Sequence, residues 1–304
     1  MSAAAIDRHA RLEETLRELE RRFGEAVVYR LSQARPKLGE RVVSTGSIAL
    51  DHATGIGVVP RGRISTIDGP ESTGKSTIAY HILASAQRDR GLAALIDVEQ
   101  AIDPTLLVGA GASLDDLLLG IPTDPLEALA QAEVLARSAT LDAIVVLGFG
   151  GQIPRQLVTD AARRIVGAIA GTPTALVYVG MAPRYTSGQL LASLGIALRP
   201  LGLLTRAGGE VIGLRVGATI AASKLGPPGA LAEIAIVDGR GIWRAAELLR
   251  LGLRLELIAQ REQGFVYADT LLGRGPLPAM ETLDHDLALA AALANAVSRG
   301  LERQ

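Results

Sequence analysis

Leu12, Leu16, Leu19 and Phe23 recur three or four residues apart, with charges between them. That spacing predicts a charged amphipathic helix over residues 8–23, ended by Gly24. Such a helix must bury its apolar stripe, either on its own core or on a neighbour. Residues 27–31 form a short β-type run, and residues 32–41 a polar, proline-containing linker. The pattern then alternates. Residues 63–67 predict a strand and 77–86 a helix. The continuous apolar run at 93–97 predicts a buried parallel strand, and the glycine-rich stretch 108–119 a connection. A helix is expected over 125–138, where Leu126, Leu129, Ala130, Glu133, Val134 and Arg137 fall at helical spacing. Strands are expected at 141–147 and 176–180, and 211–222 predicts one arm of a long β-hairpin turning at Gly208 and Gly209. From Trp243 onward the pattern predicts a helix over 247–259, a hairpin at 265–267 and 270–272, and a final helix over 284–303. Alternating strands and helices predict an α/β fold with a mostly parallel, twisted sheet flanked by helices.

Composition narrows this picture. At 304 residues, 48% hydrophobic, the chain can form one large α/β domain with smaller appendages. A net charge of −1 gives no overall pull toward nucleic acid. The absence of cysteine excludes disulfides and thiolate metal sites. Residues 1–8 lack the basic start and apolar core of a signal peptide, and no apolar run reaches the roughly 18 residues needed to span a bilayer. A cytoplasmic protein with no membrane partner is expected. Lysine occurs only at 37, 75 and 224, so arginine carries almost all the positive charge.

One of those lysines lies in the strongest motif. Gly69, Pro70, Glu71, Ser72, Thr73, Gly74, Lys75, Ser76 and Thr77 fit the phosphate-loop pattern G-x-x-x-x-G-K-[ST], between a predicted strand and a predicted helix. The order has a physical reason. A strand delivers the loop, its glycines let backbone N–H groups face phosphates, and the helix N-terminus adds partial positive charge. Lys75 reaches the β- and γ-phosphates in such a loop, and the Ser76 hydroxyl ligates Mg²⁺. These nine residues are the candidate site for ATP or ADP. Asp97 and Glu99 follow at a strand's C-terminal end, where open α/β sheets place their ligands.

Several segments together resemble the bacterial RecA family of ATP-dependent DNA recombinases. They are Ser44, Thr45, Gly46 and Ser47 leading to Asp51; Gly62, Arg63 and Ile64; the phosphate loop; Ala86, Gln87 and Arg88; Ile96, Asp97, Val98 and Glu99; and Asp103 with Pro104. The end of the first helix, Arg21, Arg22, Phe23 and Gly24, is also similar. Weaker likeness runs through Ser223 and Lys224, residues 239–242 and residues 265–267. The resemblance implies a RecA-like ATP-binding core at 42–242, a small α+β C-terminal domain at 243–304, and an oligomerisation element at 1–41 that docks on an adjacent protomer. It also implies that Glu99 activates the attacking water, as a carboxylate general base can, beside Lys75 as the other catalytic residue. Asp103 would lie near the adenine, where the family's stacking tyrosine falls at Leu106. Lys224 would match one of two lysines that reach a neighbour's ATP. The other position is Ala222.

The chain departs from the family in the parts that carry output. Leu147 and Gly148 stand where the family has an aspartate and a serine. That aspartate is the second acidic anchor for Mg²⁺, and leucine cannot replace it. Asp142 is no substitute, because five strand residues at about 3.3 Å each put it roughly 16 Å away. The metal would rest on Ser76, the phosphates, and Asp97 or Glu99, so weak Mg²⁺ coordination and slow or absent hydrolysis are expected. Two DNA-gripping loops are reduced to about 152–161 and 181–188, and the coupling glutamine falls at Met181. Arg155, Arg163, Arg164, Arg184 and Tyr185 are what remains for single-stranded DNA, which usually needs a positive groove with stacking aromatics. The C-terminal region carries Arg244, Arg250, Arg254, Arg261 and Arg274 and lacks the family's acidic tail. Three readings follow: a working recombinase, a nucleotide-binding paralogue that serves a DNA-repair partner such as a polymerase complex, or an ATPase removed from DNA. The paralogue is the expected one, with the recombinase next.

Overall fold

The computed structural model describes residues 3–23, 42–57, 59–150, 153–181, 190–206 and 208–303. The first helix, α1 (Ala3–Phe23), belongs to a unit of its own, residues 1–40. Leu16 and Leu19 are half-buried on its stripe and Leu12 is exposed. The expected strand at 27–31 and the linker lie outside the described residues, as does Gly24.

The second unit, residues 41–304, holds the other described α-helices and strands. In chain order they are β1 (Val42–Val43), α2 (Ile48–Ala53), β2 (Val59–Pro60), β3 (Arg63–Gly69), α3 (Lys75–Ala86), β4 (Ala93–Asp97), α4 (Pro104–Gly109), β5 (Leu117–Gly120), α5 (Pro125–Ser138), β6 (Ala143–Leu147), α6 (Arg155–Ile169) and β7 (Ala175–Met181). There follow β8 (Leu194–Thr205), β9 (Val211–Ser223), β10 (Leu231–Val237), β11 (Gly241–Ile242), α7 (Arg244–Arg254), β12 (Ile258–Arg261), β13 (Gly264–Tyr267), β14 (Thr270–Gly273), α8 (Pro276–His285) and α9 (Leu287–Leu301).

Among the described residues nine strands form one sheet in the order β11-β10-β9-β8-β3-β7-β6-β4-β5. Pairing is parallel from β8 through β3, β7, β6 and β4 to β5, and antiparallel from β8 to β11. The mostly parallel α/β architecture is therefore as the sequence pattern implies. The central strands are apolar on both faces because helices cover both. On one face Ile78, Ile82 and Leu83 of α3 pack with Ile67, Leu95, Val145 and Val177. On the other, Leu129 and Ala132 of α5 and Val158 and Ile165 of α6 pack with Ile96, Ile144, Val146 and Tyr178. Each such fully buried aliphatic contributes about 1.5–3 kcal/mol.

The α3-facing cluster continues without interruption into the C-terminal helices, through Trp243, Leu248 and Leu251 to Leu293, Val297 and Leu301. Trp243 bridges two parts of the seam. Its backbone N–H donates to the Ala235 carbonyl at 2.8 Å, and its indole N–H donates to Asp284 at 2.9 Å.

Four sequence expectations need correction. The stretch 108–119 is not only a connection: α4 runs to Gly109, capped by the Asp103 side chain with Pro104 in its first turn, and β5 begins at Leu117. The helix expected over 247–259 ends at Arg254, because Glu256 takes a left-handed φ of 57° that no helix can continue through, and 258–261 is strand. The helix expected from 284 is two helices, with Asp286 leaving α8 and capping α9 through the Leu289 N–H. Residues 155–161, read as a shortened loop, are the start of α6.

Candidate nucleotide-binding site

The sheet delivers the phosphate loop from its centre. β3 lies between β7 and β8 and ends at Gly69, and α3 starts at Lys75. The sharp path between them uses left-handed backbone at Ser72 (φ 55°) and Gly74 (φ 75°). A side chain at Gly74 would stand 2.2 Å from Ile236 Cδ1, and one at Gly69 2.8 Å from the Leu198 carbonyl. The loop is also tied internally. Thr73 donates its hydroxyl hydrogen bond to the Pro70 carbonyl at 2.8 Å, and the Lys75 ammonium donates to the same oxygen at 2.6 Å. The Lys75 side chain is thus folded onto the loop's own backbone.

Three carboxylates act on that ammonium. Burial lowers the Lys75 pKa from its ordinary value, and the charges of Glu99, Glu71 and Asp68 oppose the fall. Glu99 lies against Gly148: a side-chain carbon at that glycine would come 2.4 Å from Glu99 Cγ. The sequence reading therefore brought Lys75 and Glu99 to one place. It missed Asp68, the residue just before the loop. Asp68 is half-buried, its pKa is raised by burial, and Thr66 and Lys75 counteract the rise. The signal in the sequence was its adjacency to Gly69.

Across the strand ends one register row reads Asp97, Leu147, Val179 and Ile67 on β4, β6, β7 and β3. Leu147 is buried within the α3-facing cluster. Asp97 is fully buried; one carboxylate oxygen accepts from the Ile102 N–H at 2.9 Å, and the other has no hydrogen-bond partner among the described residues. Ser76 stands one residue into α3. A serine hydroxyl and the unpartnered Asp97 oxygen are both hard oxygen donors, the kind that suits Mg²⁺. Asp142 sits at the opposite end of β6, paired with Arg61 at 2.5 Å and accepting from the Leu92 N–H at 3.1 Å. It is indeed placed away from the loop.

Other candidates lie elsewhere. Asp103 is exposed and caps α4, and the Thr105 hydroxyl and N–H hold its pKa below the usual range. Leu106 is exposed on the same helix. Lys224 stands past the end of β9, where Ser223 pairs with Leu194 and Leu194 with Ser65, four residues before Gly69. It is at the other end of the sheet from this chain's own loop. Arg155 opens α6 and is exposed. Arg163 and Arg164 are engaged, with Asp160 at 2.9 Å and Glu133 at 2.8 Å. Arg184 and Tyr185, and the side chain of Met181, lie outside the described residues. Among the described residues no helix is long and apolar enough to cross a membrane.

The family described as RecA N-terminal domain matches residues 10–171. A RecA protein of Thermus thermophilus is 35% identical, over 90% of this chain and 88% of its own length. That of Paramagnetospirillum magneticum is 32% identical over 96% and 89%, and that of Chloroflexus aurantiacus 33% over 94% and 90%. The chain belongs to the RecA family. The matched residues 10–171 include the phosphate loop, Glu99 and Leu147.

Proposed function

We propose that this chain is a RecA-family nucleotide-binding protein of DNA repair and recombination, acting as a regulatory or accessory paralogue. It binds ATP or ADP with Mg²⁺ at residues 69–77, hydrolyses ATP slowly or not at all, and grips single-stranded DNA weakly. The observation that carries this reading is Leu147, whose side chain is part of the buried α3-facing cluster where an acidic anchor would belong. Nucleotide at the loop stabilises an assembly-competent form, by binding that form more tightly than the other. The N-terminal helix docks on another copy or on a RecA-like protomer, and Lys224 reaches the neighbour's nucleotide. The complex serves a repair polymerase in the cytoplasm, and the pieces 1–41, 42–242 and 243–304 act as docking element, nucleotide core and C-terminal domain.

A second reading, an active DNA-dependent recombinase, is favoured by Glu99 remaining within the electrostatic reach of Lys75. The two differ in turnover. Purified protein is expected to bind a fluorescent ADP analogue, to lose that binding on Lys75→Ala, and to release little phosphate from ATP with or without single-stranded DNA. RecA-like turnover that disappears in Lys75→Ala, or tight nucleotide-dependent DNA anisotropy with visible filaments, selects the recombinase instead.

A further inference from the structure

Asp97 is the one buried carboxylate at the nucleotide end of the sheet, among the described residues, whose partners are incomplete. Its backbone pairs with Leu147 across β4 and β6, so the two side chains leave the sheet on the same face. They stand one strand spacing, about 4.8 Å, apart. That face carries α3. Leu147 shares its cluster with Ile78 and Leu95, and α3 begins with Lys75 and Ser76. Ser76 and Tyr80 are four residues apart, on one stripe of that helix. Tyr80 lies close enough to Asp97 that, after burial, the Asp97 charge is the next cause raising its pKa. Asp97 therefore faces the stripe that leads to Ser76.

The carboxylate is also held in place. One oxygen accepts from the Ile102 N–H at 2.9 Å and the other is buried with no hydrogen-bond partner among the described residues. An unpartnered buried carboxylate oxygen is unfavourable, and a cation or its water satisfies it. Glu99 is less suited, because it is exposed and folded over Gly148. The described residues hold no group of three acidic or histidine side chains able to bind a metal alone. A site of one carboxylate, one hydroxyl and nucleotide phosphates is the usual way Mg²⁺ is held.

We propose that Asp97 supplies the acidic anchor for the nucleotide's divalent cation, in place of the position now occupied by Leu147. This rests on the nucleotide-binding reading above and adds a residue to it. The free Asp97 oxygen accepts the cation or its bound water. The Ile102 N–H fixes the carboxylate's orientation, and Ser76 gives the second protein oxygen. Leu147 is then tolerated because the anchor has moved to the adjacent strand.

The test compares affinity for a fluorescent ADP analogue in Mg²⁺ and in EDTA, for the full chain and for Asp97→Asn. The asparagine oxygen can still accept from the Ile102 N–H, so the turn is retained. Asp97→Ser is the second variant, and thermal melting reports whether each is folded. The unmodified chain is expected to bind about tenfold more tightly with Mg²⁺, the scale of one charge-assisted contact. In both variants the ratio of the affinities in Mg²⁺ and in EDTA should fall toward one. Mn²⁺ paramagnetic resonance in the presence of ADP should show bound metal in the unmodified chain only. A folded Asp97→Asn with the full Mg²⁺ gain overturns the assignment, as does an unmodified chain that binds ADP equally in both buffers; in either case nucleotide binding itself stands. Absence of ADP binding in both buffers, unchanged by Lys75→Ala, sinks the nucleotide reading and this assignment together.

Discussion

The Lys75 ammonium rests on the Pro70 carbonyl at 2.6 Å, within the field of Asp68, Glu71 and Glu99. A phosphate at the proposed site would compete with the Pro70 carbonyl for that ammonium and approach the same three carboxylates. Asp68 is the half-buried member, so water screens it least. Asp68→Asn should therefore tighten nucleotide binding by about three- to tenfold, which corresponds to roughly 0.7–1.4 kcal/mol of relieved repulsion. Titration with a fluorescent nucleotide at two salt concentrations measures it, and the gain should shrink at the higher one. Unchanged or weaker binding would mean that Asp68 helps to hold the ligand. Lys75 and Glu99 were legible in the sequence because motif spacing and a family pattern pointed to them. Asp68 was not. An acid at the end of a strand gains meaning only when the register sets it opposite Gly180 and beside Lys75.

At the scale of elements, α2 depends on a residue 200 positions away. The Ser47 hydroxyl donates to Glu247 of α7, and the Ile48 N–H donates to the other Glu247 oxygen at 2.9 Å. Ser47 also caps the helix by accepting from the Leu50 N–H at 3.1 Å. Asp51 is half-buried close by and accepts from Ser44 and Thr45. Burial pushes Glu247 up to about 7, against hydrogen bonds from Ser47 and Ile48 and the charge of Arg250, and helped by the charge of Asp51. Burial pushes Asp51 up to about 6, against hydrogen bonds from Ser44 and Thr45 and the charge of Arg244. Both folded values lie above the ordinary carboxylate range near 4. The stabilisation they give is thus full at acid pH and is lost as pH rises through about 6 and 7. His81 works the other way. It accepts from the Ile242 N–H at 2.9 Å and burial pushes it down to about 4, so its contribution is present at neutral pH and lost on acidification. Glu247→Gln should remove the Glu247 contribution, together with its repulsion with Asp51. The difference in melting temperature, variant minus unmodified chain, should rise by a few degrees from pH 5 to pH 8, and a flat difference would remove Glu247 as the cause. Strands and long helices were readable from their periods. The short helix α4 was not, because Asp103 reads as a ligand neighbour when it is also a cap, with Pro104 in the first turn. The end of α7 depends on a left-handed residue that no apolar pattern reveals.

For the molecule as a whole, the sheet ends in β5, with the far side of that strand unpaired among the described residues. Leu118, Leu119, Ile121, Leu126 and Val134 are exposed on and around this edge. Open apolar edges invite another chain, and the half-exposed stripe of α1 is a candidate to meet one. Removing residues 1–40 should leave a folded core and lower the molar mass measured by light scattering in the presence of nucleotide. Leu118→Lys in the full chain should have the same effect, and an unchanged mass in both would exclude this contact. The mostly parallel sheet was legible, since a period of two or an unbroken apolar run leaves little choice of element. Which edge stays open was not, because strand order is a property of the assembled sheet. The seam between the core and the C-terminal helices has a practical side as well. The chain contains one tryptophan, and that residue joins Ala235 of β10, through its backbone, to Asp284 of α8, through its indole. Unlabelled protein therefore carries a single indole emitter at that joint, and its emission wavelength follows the docking of the C-terminal helices in real time, with no other indole to subtract.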